Sequence, residues 1–199
     1  MKGWGTVKVW DAMASRRRGR EIALQILCLL DRQPDLDGDQ GVGLYFSQLF
    51  GSDMEGEDGG SSDEKQEAAK ARAAANAPQG PLGKETLELR RFVEDLVFGV
   101  RDHLDAVDTL LGRCSRNWRL ERMSWVDRNL LRLACYELLQ SGDTPARVIL
   151  NEAIELARRY STGESPGFVN GVLDRALRES GRTEPAPPSP PAPVEHAAQ

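Results

Sequence analysis

The sequence predicts an all-α fold, a compact bundle of about seven helices in one domain. Apolar residues recur at spacings of three and four from Lys84 to about residue 179, helix-start signals precede several of these stretches, and no segment alternates like a strand. The 199 residues suffice for one core-bearing domain. We expect it over 14–181, between a disordered extension over 1–13 and a disordered Pro/Ala-rich tail over 182–199.

The first helix is predicted over residues 15–31, with Ser15 as its N-cap. Apolar residues fall on one face of this helix at 3.6-residue spacing: Ile22, Ala23, Ile26, Leu27 and Leu30. Leu24 and Cys28 form a second apolar pair on the opposite side. That pair is either a chance feature or a docking surface, and the spacing does not decide between them.

An acidic segment separates the first helix from the later ones. A short helix is predicted near 41–50, and a flexible acidic insert at about 51–82. Residues 33–80 hold ten acidic and three basic side chains, a net charge of −7. Because the whole chain carries −5, the remainder carries +2 and is able to bind an anion despite the acidic total.

The later helices are predicted from their start and stop signals. Asp102 is the expected N-cap of the second helix after Lys84. Ser124–Asp127 fits an acidic capping box that begins a helix over 125–140, which is apolar on most sides and should be the central one. The last two helices are expected to begin with an N-cap followed by proline, and the last one to end at glycine: Thr144-Pro145, Ser165-Pro166 and Gly181.

Few residues point to catalysis or to a cofactor. The chain has two histidines and three cysteines, with no metal-ligand spacing and no glycine-rich phosphate loop. Glu152 and Glu155 lie one helical turn apart, and a solvated helix face explains them better than paired catalytic carboxylates. We expect no enzymatic activity, no metal and no cofactor. The unpaired cysteines, together with the lack of a signal peptide or membrane span, favour the cytoplasm.

Four arginines stand within five residues at the predicted start of the first helix: Arg16, Arg17, Arg18 and Arg20. Cations are mildly unfavourable at a helix N-terminus, so their presence suggests a function that rewards them. Phosphate binding fits because guanidinium groups match phosphate oxygens. A solvated charge run is the equally weighted alternative.

Phe168 lies at the margin of the apolar stripe of the last helix, in its first turn. The ring either closes the core or stacks on an unpaired base, which is how single-stranded RNA is usually held. Periodicity does not choose between the two.

Four ordered segments resemble the NusB family: Arg16–Leu27, Leu130–Leu138, Ile149–Ala157 and Phe168–Asp174. The resemblance covers roughly 15–31 and 84–179. It implies two packed helical subdomains and a transcription antitermination factor that binds the boxA RNA of ribosomal RNA leader transcripts. It further implies two partners, the small-subunit ribosomal protein NusE and the RNA polymerase antitermination complex, and a role in ribosomal RNA maturation.

The resemblance also implies roles for individual residues. Arg17, Arg20 and Phe168 would contact RNA, and Glu164 and Ser165 would border the RNA site. On the side that faces NusE, Asp127 matches an acidic position and Cys28 a position that is often tyrosine. The sequence departs from the family at Gly19, where alanine is usual and glycine should loosen the first helical turn by about 1 kcal/mol.

An alternative function is the RNA-recognition module of a ribosomal RNA cytosine methyltransferase, since NusB-like domains also precede such enzymes. That enzyme needs an α/β domain downstream, whereas a Pro-rich tail follows here. The sequence therefore favours the RNA-binding factor.

Overall fold

The computed structural model describes residues 5–50, 81–115, 119–140, 142 and 144–182. This part of the chain forms seven α-helices and one 3-10 turn, which confirms the predicted all-α class. The elements are α1 (Gly5–Arg32), α2 (Gly38–Phe50), α3 (Pro81–Asp102), α4 (Leu104–Cys114), the 3-10 turn (Leu120–Arg122), α5 (Trp125–Gln140), α6 (Ala146–Tyr160) and α7 (Ser165–Glu179). The predicted acidic insert lies outside the described residues up to position 80, and the predicted tail beyond Arg182.

Helix α1 begins much earlier than the sequence predicts. Its first residue is Gly5, so the N-cap assigned to Ser15 is wrong, and the extension expected to be disordered is helical from Gly5 to Met13. No glycine or proline interrupts residues 6–14, so the helical hydrogen bonds continue without a break. The arginine cluster therefore lies within a helix, away from its N-terminal dipole.

The central helix is the best-predicted element. Helix α5 begins at Trp125 as expected, and its capping box is formed. The Asp127 amide donates to Ser124 Oγ at 3.0 Å, and that hydroxyl donates to Asp127 Oδ2 at 2.9 Å. Gly181 also has its expected role, since its φ of 68° places it in the left-handed region just after α7.

Three other helix starts were predicted at the wrong residue. His103, and not Asp102, is the N-cap of α4. Pro145 and Glu164 are the N-caps of α6 and α7. None of these three residues forms a capping hydrogen bond with its side chain. Thr144 and Ser165 are both buried, and Ser165 uses its hydroxyl in tertiary hydrogen bonds.

The core has α5 at its centre. Helices α1, α2 and α3 pack against one another, α6 packs against α7, and α4 lies against α7. Helix α5 contacts members of both groups, namely α1, α3, α4, α6 and α7. All five residues of the predicted α1 stripe are buried, from Ile22 to Leu30.

Two glycines allow helices to approach closely. A Cβ atom at Gly19 would lie 2.5 Å from Phe92 Cδ1, so glycine brings α1 against α3. A Cβ atom at Gly99 would lie 2.1 Å from the Tyr136 hydroxyl oxygen, which joins α3 to α5 in the same way. Gly19 thus lies in a tight helix contact, and the expectation that it merely loosens a first helical turn is wrong.

A buried ion pair connects α1 to α5. Arg20 and Glu137 are only 4% and 3% exposed. Arg20 Nε donates to Glu137 Oε2 and Arg20 Nη2 to Glu137 Oε1, each at 2.8 Å. This two-point geometry fixes the rotation of α1 against the central helix.

A second polar network joins three helices through α5. Arg132 donates to the Asp108 carboxylate of α4 at 2.8 and 2.7 Å, and it pairs with Asp31 of α1 at 3.5 Å. Asp31 also accepts from Asn129 at 3.1 Å and from Arg128. The charged residues of α5 thus bind its neighbours on two sides.

We predict that Arg20→Ala lowers the free energy of unfolding by roughly 3–5 kcal/mol, because it leaves the Glu137 carboxylate buried without its partner. Urea denaturation followed by circular dichroism measures this loss. Arg158→Ala is the matched control, since it removes an exposed pair with Glu155 on one helix and should cost below about 1 kcal/mol. Equal losses in the two variants would contradict the structural role of the buried pair.

Candidate nucleic-acid interface

The four arginines of the cluster point to different sides of α1. Arg16, Arg17 and Arg18 are exposed, whereas Arg20 is buried against Glu137. The guanidinium carbons of Arg16 and Arg20 both lie 5.7 Å from the centre of the Phe92 ring, within cation–π range. The geometry thus offers three arginines to a ligand and gives Arg20 a positioning role.

Arg17 is held by Glu152 of α6. Its Nε donates to Glu152 Oε2 at 2.9 Å and its Nη2 to Oε1 at 2.7 Å, and these contacts raise the pKa of Arg17. The side chain of Glu152 is only 13% exposed, whereas that of Arg17 is 58% exposed. Glu152 is therefore a structural partner of the arginine cluster, and its expected place on a solvated face is wrong.

A second carboxylate of this surface comes from α1 itself. Glu21 is buried, and it accepts hydrogen bonds from Arg18 Nη1 at 2.9 Å and from the Tyr160 hydroxyl. It also pairs with Arg159 at 2.6 Å. Burial alone would raise the pKa of Glu21, but the hydrogen bonds and positive charges outweigh it and lower that pKa. Glu21 therefore stays ionised and ties α1 to the end of α6.

The loop between α6 and α7 is anchored on α5. Ser165 Oγ lies 2.8 Å from Ser161 Oγ and 2.9 Å from Thr162 Oγ1, and it donates to Asp127 Oδ2 at 3.1 Å. Asp127 is 8% exposed, and its buried Oδ1 has no hydrogen-bond partner in the part of the chain that the structure describes. Ser165 and Asp127 therefore set the position of the loop, while Glu164 is exposed beside them.

Phe168 follows this loop in the first turn of α7. The residue is half-buried and packs against the core, which agrees with its predicted place at the margin of the stripe. A ring in such a position contributes to packing and still presents part of its surface to solvent.

A separate apolar groove runs along α1 beyond the arginines. It has a volume of about 520 Å³ and is lined by Leu24, Gln25, Cys28, Leu29, Arg32, Gln33, Val126 and Tyr160. Leu24 and Cys28, the apolar pair singled out in the sequence, thus line one groove, and Leu24 is itself almost fully buried. Asp127 is buried and does not belong to the residues that line the groove. Burial raises the pKa of the Cys28 thiol to about 11, so that thiol stays protonated at neutral pH.

An exposed aromatic side chain stands beside this groove. Trp125 is 43% exposed, and the Arg32 guanidinium carbon lies 4.9 Å from the centre of its ring system. Arg32 also lines the groove, so this stacked pair forms part of its rim. Aromatic and arginine side chains are typical of protein interfaces.

The described residues contain no group of three histidine, cysteine or acidic side chains arranged to hold a metal ion. Within the same residues, no helix is long and apolar enough to cross a membrane.

Sequence reasoning missed Arg159 and the structural roles of Glu21, Glu137 and Glu152. One signal was present for Glu137, a charged residue inside a helix that is otherwise largely apolar. Glu21 also had a local signal, since Arg18 lies three residues before it on the same helix, whereas the partners that Glu152 and Arg159 find on α1 are too distant in the chain for local spacing to reveal them.

Fold and site together define an all-helical protein with a basic surface beside a separate apolar groove, an arrangement suited to an adaptor. The NusB family model matches residues 43–178. The transcription antitermination protein NusB of Solibacter usitatus is 43% identical over 182 residues, which are 90% of this chain and 97% of that relative. The chain belongs to the NusB family, and because these are non-enzymatic factors, the prediction that it is not an enzyme is confirmed.

Further relatives and solved structures agree with this assignment. NusB of Sorangium cellulosum is 38% identical over 86% of this chain and 98% of that relative. T. maritima NusB has a TM-score of 0.59 and 32% identity, over 82% of this chain and 91% of that chain. A structure of antitermination factors NusB and NusE in complex with dsRNA has a TM-score of 0.54, over 84% of this chain and 98% of that chain. At 18% identity, this last likeness shows the fold alone.

We predict that Asp127→Ala destabilises the fold by about 1–3 kcal/mol, because it removes the side-chain half of the capping box and one buried acceptor of the Ser165 hydroxyl. Thermal and urea unfolding measure the change. Asp174→Ala is the control, since within the described residues Asp174 accepts only a long 3.5 Å hydrogen bond, from Asn170 on the same helix, and its loss should change stability little. A wild-type stability for Asp127→Ala would show that the loop does not depend on this carboxylate.

Proposed function

We propose that this protein is a transcription antitermination factor that binds boxA RNA of ribosomal RNA leader transcripts together with NusE. In this function it joins the RNA polymerase antitermination complex and supports the synthesis and maturation of ribosomal RNA. Relatives that carry the name transcription antitermination protein NusB match over nearly their whole length, which supports this proposal.

The observation that carries the proposal is the connection between the arginines of α1 and the loop before α7. Arg17 binds Glu152, and Glu21 binds Tyr160, the last residue of α6. The loop from Ser161 to Glu164 starts directly after Tyr160 and leads to Phe168. Guanidinium groups for phosphates and a partly exposed ring for a base thus follow one another across helices α1, α6 and α7, which suits the binding of single-stranded RNA.

The apolar groove supports the second part of the proposal. Its lining side chains come from α1, α5 and α6, and Trp125 and Arg32 stand at its rim. We assign this groove to NusE. A solved NusB is found with NusE and double-stranded RNA, so the pairing has a precedent in this fold.

We predict that NusE strengthens the binding of single-stranded boxA RNA, because the arginine surface alone is small. Fluorescence anisotropy with and without purified NusE, at two salt concentrations, measures the gain. Leu29→Glu should remove most of the gain in RNA affinity that NusE provides, since Leu29 lines the groove and is only partly buried. Leu87→Glu on α3 is the matched control and should keep the gain. If NusE leaves the RNA affinity unchanged, or if the protein prefers double-stranded RNA, the proposal fails.

Replacing Phe168 and replacing Arg17 should weaken RNA binding in different ways. Phe168→Ala is expected to lose about 1–3 kcal/mol of RNA binding through stacking, with little effect on the salt dependence. Its loss of stability should be well below the roughly 3–5 kcal/mol of a fully buried phenylalanine. Arg17→Ala should instead weaken all single-stranded RNAs and flatten the salt slope by about 0.7. If the loss of RNA binding by Phe168→Ala is no larger than the unfolded fraction of that variant explains, the ring belongs to the core alone.

A further inference from the structure

Two exposed arginines share one buried carboxylate at the junction of α1 and α6. Glu21 is 4% exposed and receives Arg18 at Oε2 at 2.9 Å and Arg159 at Oε1 at 2.6 Å. The side chains of Arg18 and Arg159 are 46% and 65% exposed. Because they bind the two oxygens of one carboxylate, both guanidinium groups lie at this junction, and each side chain keeps a large part of its surface exposed to solvent.

The charges at this junction do not cancel. Arg17 is paired with Glu152, and Arg158 is paired with Glu155 on its own helix. Arg18 and Arg159, by contrast, both pair with the single carboxylate of Glu21. Among the described residues of this junction, four arginines thus face three carboxylates, which leaves one positive charge uncompensated.

The pair is also held in place before any ligand binds. The Tyr160 hydroxyl donates to Glu21, and the Arg159 guanidinium carbon lies 5.4 Å from the centre of the Tyr160 ring. Arg159 is thus fixed by an ion pair and by a ring while most of its surface faces water. Arginine loses less entropy on binding when its fork is already oriented, and the fork matches phosphate oxygens.

We propose that Arg18 and Arg159 form a clamp for one backbone phosphate of the bound RNA, with Glu21 and Tyr160 as positioning residues. This inference rests on the proposed function and adds a contact on α6 to the surface formed by α1 and α7. Arg159 lies directly before Tyr160 and the loop that leads to Phe168. The clamp therefore lies on the RNA path between Arg17 and the stacked base.

The first test compares neighbouring arginines of α6. Fluorescence anisotropy is measured with single-stranded boxA RNA and with an oligouridine of equal length, over a series of salt concentrations and in the presence of NusE. Arg159→Ala should weaken both RNAs by roughly tenfold, the effect of one lost hydrogen bond to a charged group, and flatten the salt slope by about 0.7. Arg158→Ala, whose arginine has its own carboxylate, should change both quantities little. Equal losses in the two variants indicate a diffuse charge effect and overturn the clamp.

The second test identifies the phosphate. Single methylphosphonate linkages, which are neutral, are placed one at a time along the boxA RNA. In the wild type one linkage should weaken binding by more than Arg159→Ala does, because it removes the contacts of both arginines, and in Arg159→Ala that linkage should cost clearly less than in the wild type, because only Arg18 still contacts the phosphate. Arg159→Lys keeps the charge and should remain sensitive to the same linkage. Additive losses at every linkage would overturn the clamp, whatever the stability of Arg159→Ala.

The outcomes separate this inference from the proposed function. If the wild type with NusE binds no RNA, both fail. If the wild type binds and Arg17→Ala and Phe168→Ala weaken it as expected, while Arg159→Ala binds like the wild type, the clamp alone is wrong.

Discussion

The buried pair of Arg20 and Glu137 is the constraint on which the rest of the architecture depends. A two-point contact between charged groups inside the core permits one rotation of α1 against α5 and penalises every other. Hydrophobic packing alone tolerates small rotations and shifts of a helix, because it has no direction. Here the ion pair selects one arrangement, and the tight contact at Gly19 sets how closely α3 approaches it.

That rotation determines which arginines reach solvent. With Arg20 fixed inward, the helical turn carries Arg16, Arg17 and Arg18 to the outside and brings Glu21 against the end of α6. The same rotation directs Leu24 and Cys28 toward the groove shared with α5 and α6. One helix thus presents a basic surface near its middle and an apolar groove nearer its C-terminal end, and Tyr160 of α6 borders both.

Most of the fold was predictable because its signals are local. The capping box at Ser124, the apolar stripe of α1 and the glycine after α7 all lie within a few residues of the element that they define. The start of α1 was not, because Ser15 has the chemistry of an N-cap but lies inside a longer helix. The roles within the site were the least predictable. Their partners are 135, 117 and 139 residues apart for Arg17–Glu152, Arg20–Glu137 and Tyr160–Glu21, and no spacing rule reaches that far.

The shared carboxylate at Glu21 has a consequence for how this surface responds to its surroundings. Its positive charge comes from arginines, which remain protonated at any physiological pH, and the pKa of Glu21 lies below its ordinary value. The two histidines of the chain stand elsewhere in the sequence, at His103 between α3 and α4 and at His196. Histidine titrates between about pH 5 and 8. Over that range the arginines and Glu21 of this surface keep their charge. Acidification over this range therefore leaves the electrostatic attraction of this surface for an anion intact, whereas a higher salt concentration weakens it by screening.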